Sequence, residues 1–341
     1  MHNSTLTVTK VVKDAKLAWK ALNGVIAFYK PSGVHFLQVR QTLRLKLCEE
    51  LNKLKVRPPL PYVELKGDTR DEMKVVVRES YADNVLVVGH RYKFEDIRIL
   101  PANKLYVDDS GIMILGINDG NRLIRKIKEG QPTKLYKVKG VLGKATDNYF
   151  KTGKVLEKSV YKHVKQGAID KICAAMQSAH QRKMFEMSGV DMQSQAAYEL
   201  ALQGLIRPMD RKTPMLYTIK CVDFQPPSFT LEIACINEDD MYLKEIVHSL
   251  GLQLKTNATC TQVHCIQVGI FPLSLALLQR ECTVPNILSN MSMCKQIIQS
   301  NDFLLQQENP TDYALLRLRL RLWLESESSD LSFGLGNFRF L

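Results

Sequence analysis

The chain has 341 residues, 45% hydrophobic and 24% charged, an ordinary globular composition with enough apolar residues for one large core or two smaller ones. A formal net charge of +12 favours anionic partners, either nucleic acid or an acidic membrane surface, and equally fits a generally basic solvated surface. No apolar run nears the roughly 18 residues of a membrane span. The eight cysteines contain no Cys-x-x-Cys pair and no zinc-like His spacing, so they read as reduced core thiols of an intracellular protein and not as a disulfide framework.

Residues 1–22 carry Lys10, Lys13, Lys16 and Lys20 against one acid, Asp14, with Ser4, Thr5, Thr7 and Thr9 between them. This fits either a mitochondrial presequence, though one without arginine, or an ordinary amphipathic helix. The run GVIAFYKPSG, Gly24 to Gly33, predicts a buried strand ended by a Pro-Ser-Gly turn. Phe36, Val39, Leu43, Leu47, Leu51 and Leu54 recur at spacings of three and four, which predicts a helix with Arg40, Arg44 and Lys53 off its apolar stripe. RPPLP, Arg57 to Pro61, is a break, and KVVVRE a short strand in the polar region 66–84. GIMILGI (111–117) predicts a second buried strand and NRLIRKIKE a basic helix.

KLYKVKGVLGKATD (134–147) alternates as a strand and then turns, and AIDKICAAMQSAH (168–180) has helical spacing. SQAAYELALQGLIRP predicts a helix with Ser194 as its N-cap and Gly204 just past its end. LYTIKCVDF, QPPS and FTLEIACIN predict a hairpin with Phe229, Leu231, Ile233 and Cys235 on one face. MYLKEIVHSLG predicts a short helix closed by Gly251, and LLRLRLRLWL (315–324) alternates as a strand before a tail. There is no internal repeat and no steady βαβ rhythm, which predicts an α+β fold. No Walker loop, dinucleotide fingerprint, Ser-x-x-Lys motif or metal-spaced His cluster is present. The residues alone describe a basic, cofactor-poor α+β protein with nucleic acid as its leading partner.

Six segments also fall together. LNGVIAFYKPSGV gives an opening strand with a Lys-Pro-x-Gly turn, and DSGIMILGI a Ser-Gly followed by an apolar strand. TKLYKVKGVLGKATD gives a Lys-x-Tyr segment and a Leu-Gly-x-x-Thr-Asp turn. AAYELALQGLIRP, MYLKEIVHSLG and LKTNATCTQV follow as a tyrosine helix, a Leu-Gly helix and a strand. In this order, from about residue 23 to 285, they resemble the TruB-type pseudouridine synthases, most closely their mitochondrial animal branch.

The resemblance implies a pseudouridine synthase fold, a central, largely antiparallel mixed sheet flanked by helices with an RNA-binding cleft. It implies isomerisation of uridine to pseudouridine in RNA, with no metal or cofactor. The target base leaves its stack, an ionised aspartate acts on the nucleotide, and an arginine holds that aspartate. The pocket tyrosine that stacks on the base falls at Tyr136. Lys30 of the turn, Lys134 of Lys-x-Tyr and Lys244 complete the RNA- or uridine-binding candidates.

The pattern departs at its chemistry. The family's aspartate stands four residues before the serine of Ser-Gly, and that position is Tyr106. Asp108 and Asp109, two and one residues before Ser110, are the catalytic candidates. Two residues of extended chain span roughly 6–7 Å, whereas catalysis responds to displacements of about 1 Å, so either acid requires the loop to re-form around it. A tyrosine with an ordinary pKa of about 10 stays protonated at neutral pH. The family's Gly-His reads Ala102-Asn103, and its Arg-Arg-Thr reads His264, Cys265, Ile266. An earlier VVGHRYKFED (87–96) places Asp96 near the right distance from Gly89-His90, but IRIL follows it, so it reads as a decoy. Lys244 stands at the paired arginine's place and keeps its charge without the fork.

Plainer roles stand beside these: Tyr136 as a core aromatic, Lys244 as an exposed helix lysine, and Lys30 as an electrostatic support for its turn. Tyr198 is expected in the core and Asp147 in a turn. Two functions stay open, a divergent working synthase or an inactive relative that binds RNA as a folding or assembly factor. The expected partner is mitochondrial mRNA, rRNA or tRNA, met by a monomer in the matrix without integral membrane association. The expected layout is an N-terminal extension (1–22), a synthase-like domain (23–290) and a tail (291–341) without the extra C-terminal RNA-binding domain of longer family members.

Overall fold

The structure is a computed structural model and describes residues 14–54, 61–68, 70, 72–80, 85–187, 191–202 and 213–301. The readings of residues 1–13, of most of the RPPLP break, of Gly204 and of everything past residue 301 lie outside these. Chain order begins α1 (Ala15–Ala21), β1 (Gly24–Lys30), α2 (Phe36–Lys53), β2 (Pro61–Lys66), β3 (Lys74–Glu79), β4 (Ile99–Pro101), β5 (Ser110–Ile117) and α3 (Gly120–Glu129). It continues β6 (Lys134–Leu142), β7 (Lys144–Thr146), β8 (Val155–Lys158), α4 (Gln166–Met187), α5 (Gln195–Leu202), β9 (Met215–Gln225), β10 (Ser228–Ile236) and α6 (Tyr242–Gln253). It ends β11 (Ala258–Val268), β12 (Phe271–Pro272) and α7 (Val284–Ser300).

Two compact units divide the described chain. The first takes residues up to Lys134 together with Val263–Ser300, and the second takes Leu135–Gln262. The region 23–290, read from the sequence as one domain, contains parts of both, and α7 runs across residue 291, where the sequence reading begins a tail.

In the first unit β1 runs antiparallel to β5, with Gly24 opposite Ile117 and Lys30 opposite Gly111. Every residue of β5 is buried, which is why its sequence is continuously apolar instead of alternating. The other edge of β5 takes β4, antiparallel, and then the end of β11, parallel, with His264 opposite Ser110 and Cys265 opposite Gly111. The outer edge of β1 is also occupied. The Leu277 N–H donates to the Ala27 carbonyl at 3.0 Å, and the Ala27 N–H donates to Asn290 Oδ1 at 2.9 Å. Asn290 Nδ2 donates to the Leu275 carbonyl at 2.7 Å, so one buried amide uses both ends to fix α7 against the strand. The stripe of α2 buries Val39, Leu43, Leu47 and Leu51 as its spacing predicts.

In the second unit the strand order is β11-β6-β10-β9. The predicted hairpin is β9–β10, and Phe229, Leu231, Ile233 and Cys235 are buried along one face. Met184 of α4 packs with Met215, Tyr217 and Ile236. Ser194 caps α5 as predicted, accepting from the Ala197 N–H at 3.2 Å. The helix predicted to close at Gly251 does not do so: α6 continues to Gln253. Gly251 serves a close approach instead, since a Cβ there would run into the backbone of Ala258 at the start of β11. Helices with a largely antiparallel mixed sheet make this the α+β fold the sequence predicts. All eight cysteines are free and buried, and among the described residues no helix is long and apolar enough to cross a membrane.

Candidate active site

The loop before β5 is held by the turn that ends β1. Lys30 is the last residue of β1 and is 0% exposed. Its ammonium donates to three carbonyls, those of Pro31 at 3.1 Å, Val107 at 3.2 Å and Asp109 at 2.6 Å. Ser32 Oγ donates to the Asp108 carbonyl at 2.7 Å, and the Gly33 N–H donates to the Val107 carbonyl at 2.7 Å. Gly33 has φ of +83°, a left-handed conformation that glycine adopts without strain, and this aims its N–H at the loop. The Lys-Pro-Ser-Gly turn is thus a clamp on three consecutive loop carbonyls. Burial lowers the Lys30 pKa to about 8, against the opposing pull of Asp109 and Asp108.

The loop also closes on itself. The Asp109 N–H donates to the Tyr106 carbonyl at 3.2 Å, and Asp109 Oδ2 accepts the Tyr106 N–H at 3.0 Å. At 7% exposed, Asp109 is a buried cap on this turn. Asp108 is partly exposed, with its main chain fixed by Ser32. Ser110 then enters β5, its Oγ 3.2 Å from the Val263 carbonyl and 2.9 Å from His264 Nδ1. Gly111 has φ of +124°, and a Cβ there would collide with the Cys265 backbone. Ser-Gly is therefore where β11 docks on β5.

The remaining candidates lie in the second unit, apart from Lys134, the partly exposed first residue of β6. Tyr136 is 1% exposed, and its hydroxyl donates to Glu238 Oε1 at 2.8 Å. Lys244, 3% exposed on α6, lies 3.0 Å from Asp240 Oδ1 one turn earlier and 5.2 Å from the centre of the Phe150 ring.

A family model described as the N-terminal domain of TruB family pseudouridylate synthases matches residues 105–242. The mitochondrial pseudouridylate synthase TRUB2 of Xenopus tropicalis is 37% identical over 284 residues, covering 81% of this chain and 87% of that protein. Its Homo sapiens counterpart is 38% identical over 276 residues, covering 78% of this chain and 82% of that protein. The chain belongs to the TruB family. Among solved structures, the archaeal box H/ACA sRNP Nop10-Cbf5 complex aligns with a TM-score of 0.41 at 12% identity, over 82% of this chain and 58% of that one.

Within this TruB chain the structure separates the sequence candidates. It brings Lys30 together with the Asp108–Asp109 loop, in the supporting role expected of it, and adds Ser32 and Gly33, which the sequence reading did not single out. Lys244 is not an exposed helix lysine, since it is buried beside Asp240 and Phe150. Tyr198 is not in the core: it is 60% exposed, since it follows the buried Ala197 and successive side chains point well apart round a helix. Asp147 is a turn residue as expected, accepting from the Lys154 N–H at 3.0 Å. Asp96 likewise closes a local turn, accepting from the Lys93 N–H at 3.2 Å, beside a Tyr92 backbone gripped by Asn52. No β5-like strand follows it.

Proposed function

We propose that this chain isomerises uridine to pseudouridine in RNA in the mitochondrial matrix, with Asp108 as the working carboxylate. Its mitochondrial relatives carry that activity in their names, at more than a third identity over most of both chains. The reaction breaks the C1′–N1 bond, joins C1′ to C5, removes the C5 proton and leaves a proton on N1. It is redox-neutral and atom-balanced, so the protein must supply base extrusion, orientation and proton handling.

The observation that carries the choice of acid is the different placement of two adjacent aspartates. Asp109 spends its carboxylate on the Tyr106 amide inside the loop, whereas Asp108 is partly exposed on a main chain clamped by Ser32, Gly33 and Lys30. A clamped backbone is what a carboxylate needs to be held within about 1 Å of its target.

The test is a map of pseudouridine in mitochondrial RNA from cells with and without the gene, followed by re-expression of variants. Wild type should restore the lost sites, Asp108→Ala should not, and Asp109→Ala should restore them in proportion to the folded protein that accumulates. Sites that persist without the gene, or full restoration by Asp108→Ala, overturn the assignment. If no site depends on the gene while the protein still binds RNA, the chain is instead a non-catalytic RNA-binding relative.

A further inference from the structure

A cavity of about 360 Å³ lies in the first unit, and none of its lining residues belongs to the 106–111 loop. Three segments far apart in sequence build it: α2, the entry to β4, and the start of α3. They contribute Arg40 and Arg44, Arg98, and Arg122 and Arg125. Five arginines therefore line one space with a single acidic residue, Asp119, and Ile99 and Leu100 supply an apolar part of the wall.

Among the described residues these cations are not neutralised by ion pairs. None of the five arginines has an ion-pair partner among the described residues. Arg40 lies over the Phe36 ring at 5.8 Å, and the pKa of Arg44 is lowered, first by burial and then by the charge of Arg40. Two buried polar atoms of the lining are also unsatisfied. Arg44 Nε and Asn121 Oδ1 have no hydrogen-bond partner among the described residues, although Asn121 Nδ2 donates to the Arg98 carbonyl at 3.2 Å. Five like charges against one carboxylate raise the energy of the empty site, and each unsatisfied buried polar atom adds to that cost. An anionic occupant removes the repulsion.

We propose that this cavity is a phosphate site that takes two or more phosphate groups of one ligand. Guanidinium forks pair with carboxylate and phosphate oxygens alike, but five arginines outnumber the two oxygens of a lone carboxylate, whereas linked phosphates bring more charge and more acceptor oxygens. The volume lies at the lower end of small-ligand pockets and exceeds the space of a single ion. Two sources share this chemistry, the backbone of a bound RNA and a free nucleoside polyphosphate. The site stands whether or not the chain isomerises uridine.

The experiment compares Arg122→Gln/Arg125→Gln with Lys126→Gln/Lys128→Gln in the full-length protein. All four residues are exposed on α3, both double variants lose the same charge, and only the arginines line the cavity. Binding of inorganic tripolyphosphate and of a single-stranded RNA is measured by calorimetry across a salt series, with ligand-free melting as the check on folding. The arginine variant should bind at least one of the two probes about tenfold more weakly than the lysine variant. A loss on RNA alone, with the salt slope reduced by about 0.7 for each contact removed, assigns the site to the RNA backbone. A loss on tripolyphosphate as well assigns it to a free polyphosphate. Equal effects of the two double variants, or no effect on either probe, overturn the proposal. If the arginine variant melts early, Arg98→Gln, also exposed, is compared with the single variant Lys126→Gln, which loses the same one charge.

Discussion

Lys30 shows how a single buried charge organises a loop nearly 80 residues away. Its folded pKa of about 8 lies below the ordinary 10.5, so between those values the unfolded chain holds a proton that the folded chain has released. Stability then rises with pH across that window, and the burial penalty is present in full below about pH 8. Lys30→Met removes this titration. The difference in unfolding free energy between wild type and variant should grow from pH 8 to 10.5, measured by denaturant melts, and parallel pH profiles would refute the assignment. At neutral pH the same variant takes the ammonium away from three carbonyls, of which that of Val107 keeps the Gly33 N–H, and should cost about 3 kcal/mol. Asp109→Ala should cost about 1–3 kcal/mol, because the Tyr106 N–H loses its acceptor. It should also push the Lys30 pKa lower still, since Asp109 is the larger of the two charges that raise it.

At the scale of elements, β5 was legible because nothing about it is conditional. A fully buried strand must be apolar throughout, and the letters say so. The same holds for the α2 stripe and the β9–β10 hairpin. The glycines were less legible, because a glycine letter does not say which need it meets. Gly251 looks like a helix stop, yet it marks where α6 and β11 touch. Gly111 combines a left-handed φ with contact against Cys265. Gly111→Ala should therefore separate β11 from β5 at Ser110–His264 and lower stability by about 3 kcal/mol or more. A thermal melt checks this, and a shift of under 2 °C would show that the strands accommodate a methyl group.

Across the whole molecule, the candidate site could be read by position but not by function. The two aspartates differ by nothing in their letters, and what separates them is placement, Asp109 buried inside the loop and Asp108 partly exposed, which sequence does not display. The turn's hold on the loop is hidden for the same reason, since its acceptors are carbonyls. The arginine cavity is hidden because its residues come from positions 40 to 125 and meet only in the fold. Net charge, by contrast, is a property of the composition and makes its own prediction. With +12 available, RNA binding should weaken with added salt with a log–log slope steeper than about −2, the value for three phosphate contacts on a single strand. Asp108→Asn removes one carboxylate charge from the loop before β5 and leaves the basic surface in place. It should retain that slope while losing pseudouridine formation, because electrostatic capture and proton handling rest on different residues. A slope near zero in wild type would mean that the surplus charge is only a solvated surface. A slope lost in Asp108→Asn would mean that the loop grips RNA instead of acting on it.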